Sequence, residues 1–233
     1  MQKWKSNLLW MTAFALAMGL LEAAVVVYLR GLLNISNENV RLLHYEQIEV
    51  LREAATVVML AAVGWLAGTS RTTRFYFFAF AFGLWDVAYY GWLKVFIDWP
   101  YSLFSPDVLF LIPVRWTGPV LAPVMIALLM CLGAVLALRR EAQGIAPALS
   151  FGRVMTLAAG GVLALLVFMS DALLALAARQ PDWNQLPPGE FRWGWFLISF
   201  AAMLISTLQM TLGSQRTAAP YSNYQESKST QTL

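Results

Sequence analysis

The sequence predicts an all-α integral membrane protein, with six transmembrane helices and one short interfacial or re-entrant helix at about 106–113. Three observations carry this. Hydrophobic residues make up 59% of the 233 and charged residues 12%, where a soluble domain usually carries about 25% charged residues. Mean hydropathy is +0.61. Apolar runs long enough to cross a bilayer recur along the chain, separated by polar or proline-bearing breaks.

The first helix is expected at 7–30. The N-terminal lysines and Ala15-Leu16-Ala17 imitate a signal peptide, but the apolar run continues to Leu29, so it is read as a retained span. A polar connection with Asn34, Asn37 and Asn39 follows. Helix 2, at 45–66, has charged first turns and an apolar remainder. Gly68 to Arg71 make a tight turn into an aromatic helix at 75–97. Asp98-Trp99-Pro100 ends that helix, because proline cannot continue it and restricts the residue before it. Ser105-Pro106-Asp107 reads as a helix start, with serine as N-cap and proline at the first helical position. The run after it is too short to span, and Pro113 stops it. Helices at 119–138, 153–178 and 193–212 complete the set. Residues 1–213 then form a single polytopic domain. The Ser-, Thr- and Gln-rich segment 214–233 is expected to be a disordered cytoplasmic tail.

Six spans place both termini on one side. Lys3, Lys5, Arg71, Arg74 and the Arg139-Arg140 pair fall on that side. By the positive-inside rule both termini are cytoplasmic, in a cell inner membrane. The basic residues are scattered, so nucleic acid is not an expected partner. The expected partners are the lipid bilayer and a membrane protein or a second copy of the chain. The single cysteine, Cys131, excludes a disulfide framework and a Cys-based metal site and reads as a small buried hydrophobe. The single histidine, His44, excludes bis-histidine haem ligation within the chain and reads as an interfacial polar residue. No nucleophilic triad, phosphate loop or dinucleotide motif is present.

The acids carry the functional expectation. Of thirteen, only Glu141 and Glu226 fall on the cytoplasmic side, a bias that the positive-inside rule does not produce. At about 1.5 Å per residue, Glu22, Glu53 and Asp171 each lie roughly 12 Å below the outer end of their helices, and Asp86 roughly 16 Å. A charge in the apolar layer costs about 2.5–3.5 kcal/mol. Four acids at one depth are therefore expected to face one another around a hydrated or cation-filled cavity. The stretch 20–27 also echoes 51–58 around Glu22 and Glu53, and its alanine pairs would let helices 1 and 2 pack closely.

Glu22, Glu53, Asp86 and Asp171, with Asp107, are thus the candidate ion- or substrate-binding residues. The first four are also candidate ligands for a divalent cation, since an all-carboxylate set suits Mg, Ca or Mn. Arg52, Tyr90, Lys94 and Arg115 are the expected counter-charges or hydrogen-bonding partners. On helix 2, Glu46, Glu49, Arg52, Glu53 and Thr56 share a face; on helix 3, Asp86, Tyr89, Tyr90 and Lys94 recur at helical spacing. The stretch 85–123, dense in Trp, Tyr, Pro and Asp, is expected to wall this site on the outer side, with the 106–113 helix across its mouth.

Three functions fit. The leading one is a small ion- or proton-coupled transporter. The second is a membrane-embedded metal-dependent or acid–base enzyme acting on a lipid-linked or phosphorylated substrate. The third is a non-catalytic subunit or assembly partner of a larger membrane complex.

Overall fold

A computed structural model describes residues 3–35, 42–180, 189–213 and 215–216. Among them are six α-helices: α1 (Lys3–Ile35), α2 (Leu42–Ala67), α3 (Arg71–Ile97), α4 (Leu121–Glu141), α5 (Phe151–Ala177) and α6 (Trp193–Leu212). Five of them, all but α3, are long and apolar enough to cross a membrane, as a multi-pass membrane protein requires. Expectations for the connection at 36–41, for Glu38 and Asp182, for the side chains of His44 and Glu46, and for the tail from 217 onward lie outside the described residues. Two residues of the expected tail, Gln215–Arg216, form a strand (β4) against Ile145–Ala146 (β3).

α3 is the helix on which the bundle is built. It packs against α1, α2 and α4 and buries Phe77, Phe80, Trp85, Tyr90 and Leu93. Tyrosine, tryptophan and glycine lower its hydropathy, and its neighbours shield it on several sides. Its start is fixed by a reciprocal capping box: the Ser70 hydroxyl accepts from the Thr73 amide, and Thr73 answers from its side chain. It ends at Asp98, which takes the left-handed conformation at φ 52° ahead of Trp99-Pro100. Glycines permit the close joints. A Cβ at Gly64 would lie 2.7 Å from the Phe78 amide nitrogen, and one at Gly83 would lie 2.4 Å from the Ala127 carbonyl oxygen.

Two hydrophobic cores result. One joins α1, α2 and α3 to one face of α4, around Leu60, Phe77, Phe80 and Leu138. The other joins α4, α5 and α6 around Phe168, Phe196 and Met203. The alanine pairs of the internal echo do not hold α1 to α2, as the spacing suggested. Ala54 and Ala55 are exposed, and both helices dock chiefly on α3.

The expected short helix at 106–113 is instead a β-hairpin. Strand β1 (Pro106–Phe110) runs antiparallel to β2 (Trp116–Pro119), with Asp107 opposite Gly118 and Phe110 opposite Trp116, and with a bulge between Val108 and Phe110. The Ser-Pro-Asp signal is local, and the pairing that overrides it is not. Val108, Leu109 and Phe110 suit a strand as well as a helix. The two prolines sit opposite one another at the open end of the ladder, where a missing N–H is tolerated. The Phe110 and Trp116 rings meet at 5.4 Å. Main-chain bonds from Val120 to Ser105 (3.0 Å) and from Leu121 to Leu103 (2.7 Å) fasten the hairpin to the start of α4.

Candidate functional site

Each helix near the hairpin offers one polar face. On α1, Glu22, Val26 and Arg30 follow at four-residue steps. On α2, Glu49, Arg52, Glu53 and Thr56 share a stripe. On α3, Trp85, Asp86, Tyr89 and Tyr90 do the same. With the hairpin residues Asp107 to Leu111 as a roof, these side chains enclose a cavity of about 280 Å³.

Its floor is an ion-pair network. The Arg52 guanidinium pairs with Glu22 and with Glu49, donating to Glu49 Oε2 from Nε at 2.9 Å and from Nη2 at 2.7 Å. Glu22 is 5% exposed and also accepts from the Thr56 hydroxyl. Glu53 accepts from the Leu111 amide at 2.9 Å, which ties the hairpin to α2. Tyr90 donates to Asp107 Oδ2 at 3.1 Å. The Arg30 guanidinium lies over the Trp99 ring, 4.4 Å from its centre.

Five carboxylates line the cavity, Glu22, Glu49, Glu53, Asp86 and Asp107, against two guanidiniums, Arg30 and Arg52. Three of the five, Glu53, Asp86 and Asp107, have no ion-pair partner among the described residues. Asp86 makes no hydrogen bond among the described residues and stands within electrostatic range of Asp107. Burial pushes the Asp107 carboxyl up to about 6, although the Tyr90 hydroxyl, the Arg30 charge and the Val108 amide pull it back down.

The chain matches no protein-family model, no curated protein and no solved structure. Its chemistry therefore rests on this geometry.

The expected convergence of four acids holds for three of them. Glu22, Glu53 and Asp86 line one cavity, and Asp107 lines it with them. Asp171 does not. It lies beyond β2, against a separate cavity of about 340 Å³, with its charge fully engaged. Arg192 Nη1 donates to Oδ1 at 2.9 Å; the Gly189 amide (2.9 Å) and the Thr117 hydroxyl (3.3 Å) donate to Oδ2. Depth along a helix sets height but not direction, and Asp171 turns toward Thr117 of β2, Gly189 and Arg192.

Two of the expected counter-charges are also elsewhere. Lys94 is exposed, pairs with Asp98 at 2.6 Å and caps the end of α3. Arg115 does not line the cavity. Arg52 and Tyr90 stand where the sequence placed them. The shared metal site is not formed: among the described residues, no three His, Cys, Asp or Glu side chains are grouped so as to hold a metal ion. Glu22 is occupied by Arg52 and Thr56, Glu53 by the hairpin amide, and Asp171 is remote.

Arg30 is not among the site residues the sequence singles out, and Glu49 is expected only as a member of the polar face of helix 2, where it does pair with Arg52. The signal for Arg30 lies in the Glu22-Val26-Arg30 spacing, which keeps all three on one face. Cys131 is partly buried and unpaired, with its thiol 3.7 Å from the Phe80 carbonyl, away from this cavity.

Proposed function

We propose that the protein is a small cation- or proton-coupled transporter of the inner membrane, with six spans including α3, both termini cytoplasmic and the acid-lined cavity open to the outer side. Asp86 is the binding carboxylate, and Asp107 the neighbouring group that exchanges a proton. One observation carries this reading: Asp86 opens on a half-enclosed polar cavity without a hydrogen bond, while every other acid there has a donor or an ion-pair partner. A bare carboxylate at such a depth is costly unless a proton or cation visits it. The geometry favours a proton or a small organic cation over a divalent metal, because the acids are separately engaged. The Glu22–Arg52–Glu49 network is then the fixed scaffold that holds α1 against α2.

The test is uptake by purified protein in liposomes, with an imposed pH gradient and a panel of monovalent and organic cations. Asp86→Asn is expected to abolish gradient-driven flux while the protein still inserts and folds, and Asp107→Asn to weaken it and alter its pH dependence. Unchanged flux in Asp86→Asn would overturn the assignment.

A further inference from the structure

A third cavity, of about 350 Å³, adjoins the polar one and is almost wholly apolar. The two share four lining residues, Trp85, Asp86, Leu109 and Phe110. The apolar cavity lies between α3 and α5, with α4 along it, and borders both hydrophobic cores. Phe82, Trp116, Ile126, Ala164 and Phe168 line it, and Leu165 on its rim is 36% exposed. Asp86 is the one carboxylate on its wall. From that residue the surface turns acid-rich on one side and aliphatic and aromatic on the other.

We infer that the substrate is a long-chain amphiphile with a cationic amine head, the head held at Asp86 and the hydrocarbon chain laid between α3 and α5. This rests on the reading of Asp86 as the cation-binding carboxylate and names the substrate class for that site. Charge complementarity selects the head: acids outnumber arginines five to two, Arg52 is already committed to Glu22 and Glu49, and Arg30 is stacked on Trp99. Shape selects the tail. A small hydrophilic cation needs only the polar chamber and leaves an apolar cavity of similar size unexplained. The β-hairpin provides the divide, since Leu109 and Phe110 line both chambers while Asp107 faces the polar one alone.

Binding of dodecylamine, propylamine and dodecanoic acid to the full-length protein, followed by native mass spectrometry of protein released from detergent micelles, tests this. Dodecylamine is expected to bind at least tenfold more tightly than either of the others. Asp86→Asn should remove that preference over dodecanoic acid. Leu165→Trp, which narrows the apolar chamber at its rim, should bring dodecylamine down to the level of propylamine and leave propylamine unaffected. If propylamine and dodecylamine bind equally and Asp86→Asn weakens both, the amphiphile is overturned and the cation site stands. Dodecanoic acid binding as well as dodecylamine would also overturn the amphiphile, because charge would then select nothing. If neither amine binds, the cation site fails with it. The comparison of chain lengths on the unmodified protein decides the matter even where a variant does not fold.

Discussion

Two half-buried carboxylates, Asp86 on α3 and Asp171 on α5, have opposite surroundings. Asp171 has a guanidinium, a hydroxyl and a backbone amide directed at its two oxygens. Asp86 has no hydrogen bond among the described residues and faces another acid. Both are deep acids in an apolar chain, and depth alone ranks them as equals. The difference lies in saturation. A carboxylate whose lone pairs are filled by the chain joins parts of the fold, whereas one left unfilled beside a cavity is available to something that comes and goes.

That contrast can be broken most forcefully at Arg52. Arg52→Ala would leave Glu22, nearly fully buried, without its counter-charge. A loss of about 3–5 kcal/mol is expected, in line with removal of one partner from a buried pair, and is measurable as a lowered unfolding midpoint in detergent. A smaller effect is expected from pH. The Asp107 carboxyl ionises near 6 rather than near 3.8, so the folded state holds a proton that the unfolded chain has lost. Stability should fall as pH rises through that window and level off above it. Cation affinity at the cavity should rise over the same window, and both trends should vanish in Asp107→Asn. Calorimetric unfolding and binding at pH 5 and pH 7 check the two signs together. Asp171→Asn should cost about 1 kcal/mol, since its Arg192 partner is partly solvated and hydrogen bonds to charged groups contribute modestly. Flux should be unaffected; a loss of flux in this variant at intact stability would erase the distinction between the two acids. Lys94→Ala should change stability by less than about 0.5 kcal/mol, as expected for an exposed i,i+4 pair.

Much of this was legible from residue order. Apolar runs located the helices to within a few residues, because long periodic segments in an apolar chain admit few alternatives. The 85–123 stretch does wall the cavity: Trp85, Asp86, Tyr89, Tyr90 and Asp107 all line it. What escaped were the relations between distant segments. Val108 to Phe110 carry no periodicity that separates strand from helix, and only the partner strand ten residues on decides it. Asp171 faces Thr117, Gly189 and Arg192 rather than the acids of α1–α3, because rise per residue carries no azimuth. Lys94 lies one turn beyond Tyr90 on the same helix, yet a flexible side chain so near the end of α3 reaches the carbonyls of Asp98 and Pro100 instead.

The joint at Gly64 bears on how this chain is made as well as how it stands. α3 is the least hydrophobic of the long helices, and alone it would be a poor candidate for transfer from the translocon into lipid. Its predecessor α2 is apolar beyond Thr56, and the two are joined by a short turn fixed by Ser70 and Thr73. With the Gly64 backbone seated directly against Phe78, the six-span arrangement proposed above lets the pair enter the bilayer as one hairpin-shaped unit, the greasier arm carrying the polar one. The site's acids then reach their depth in company, with Glu53 on one arm and Asp86 on the other, and neither helix has to present its charge to lipid by itself.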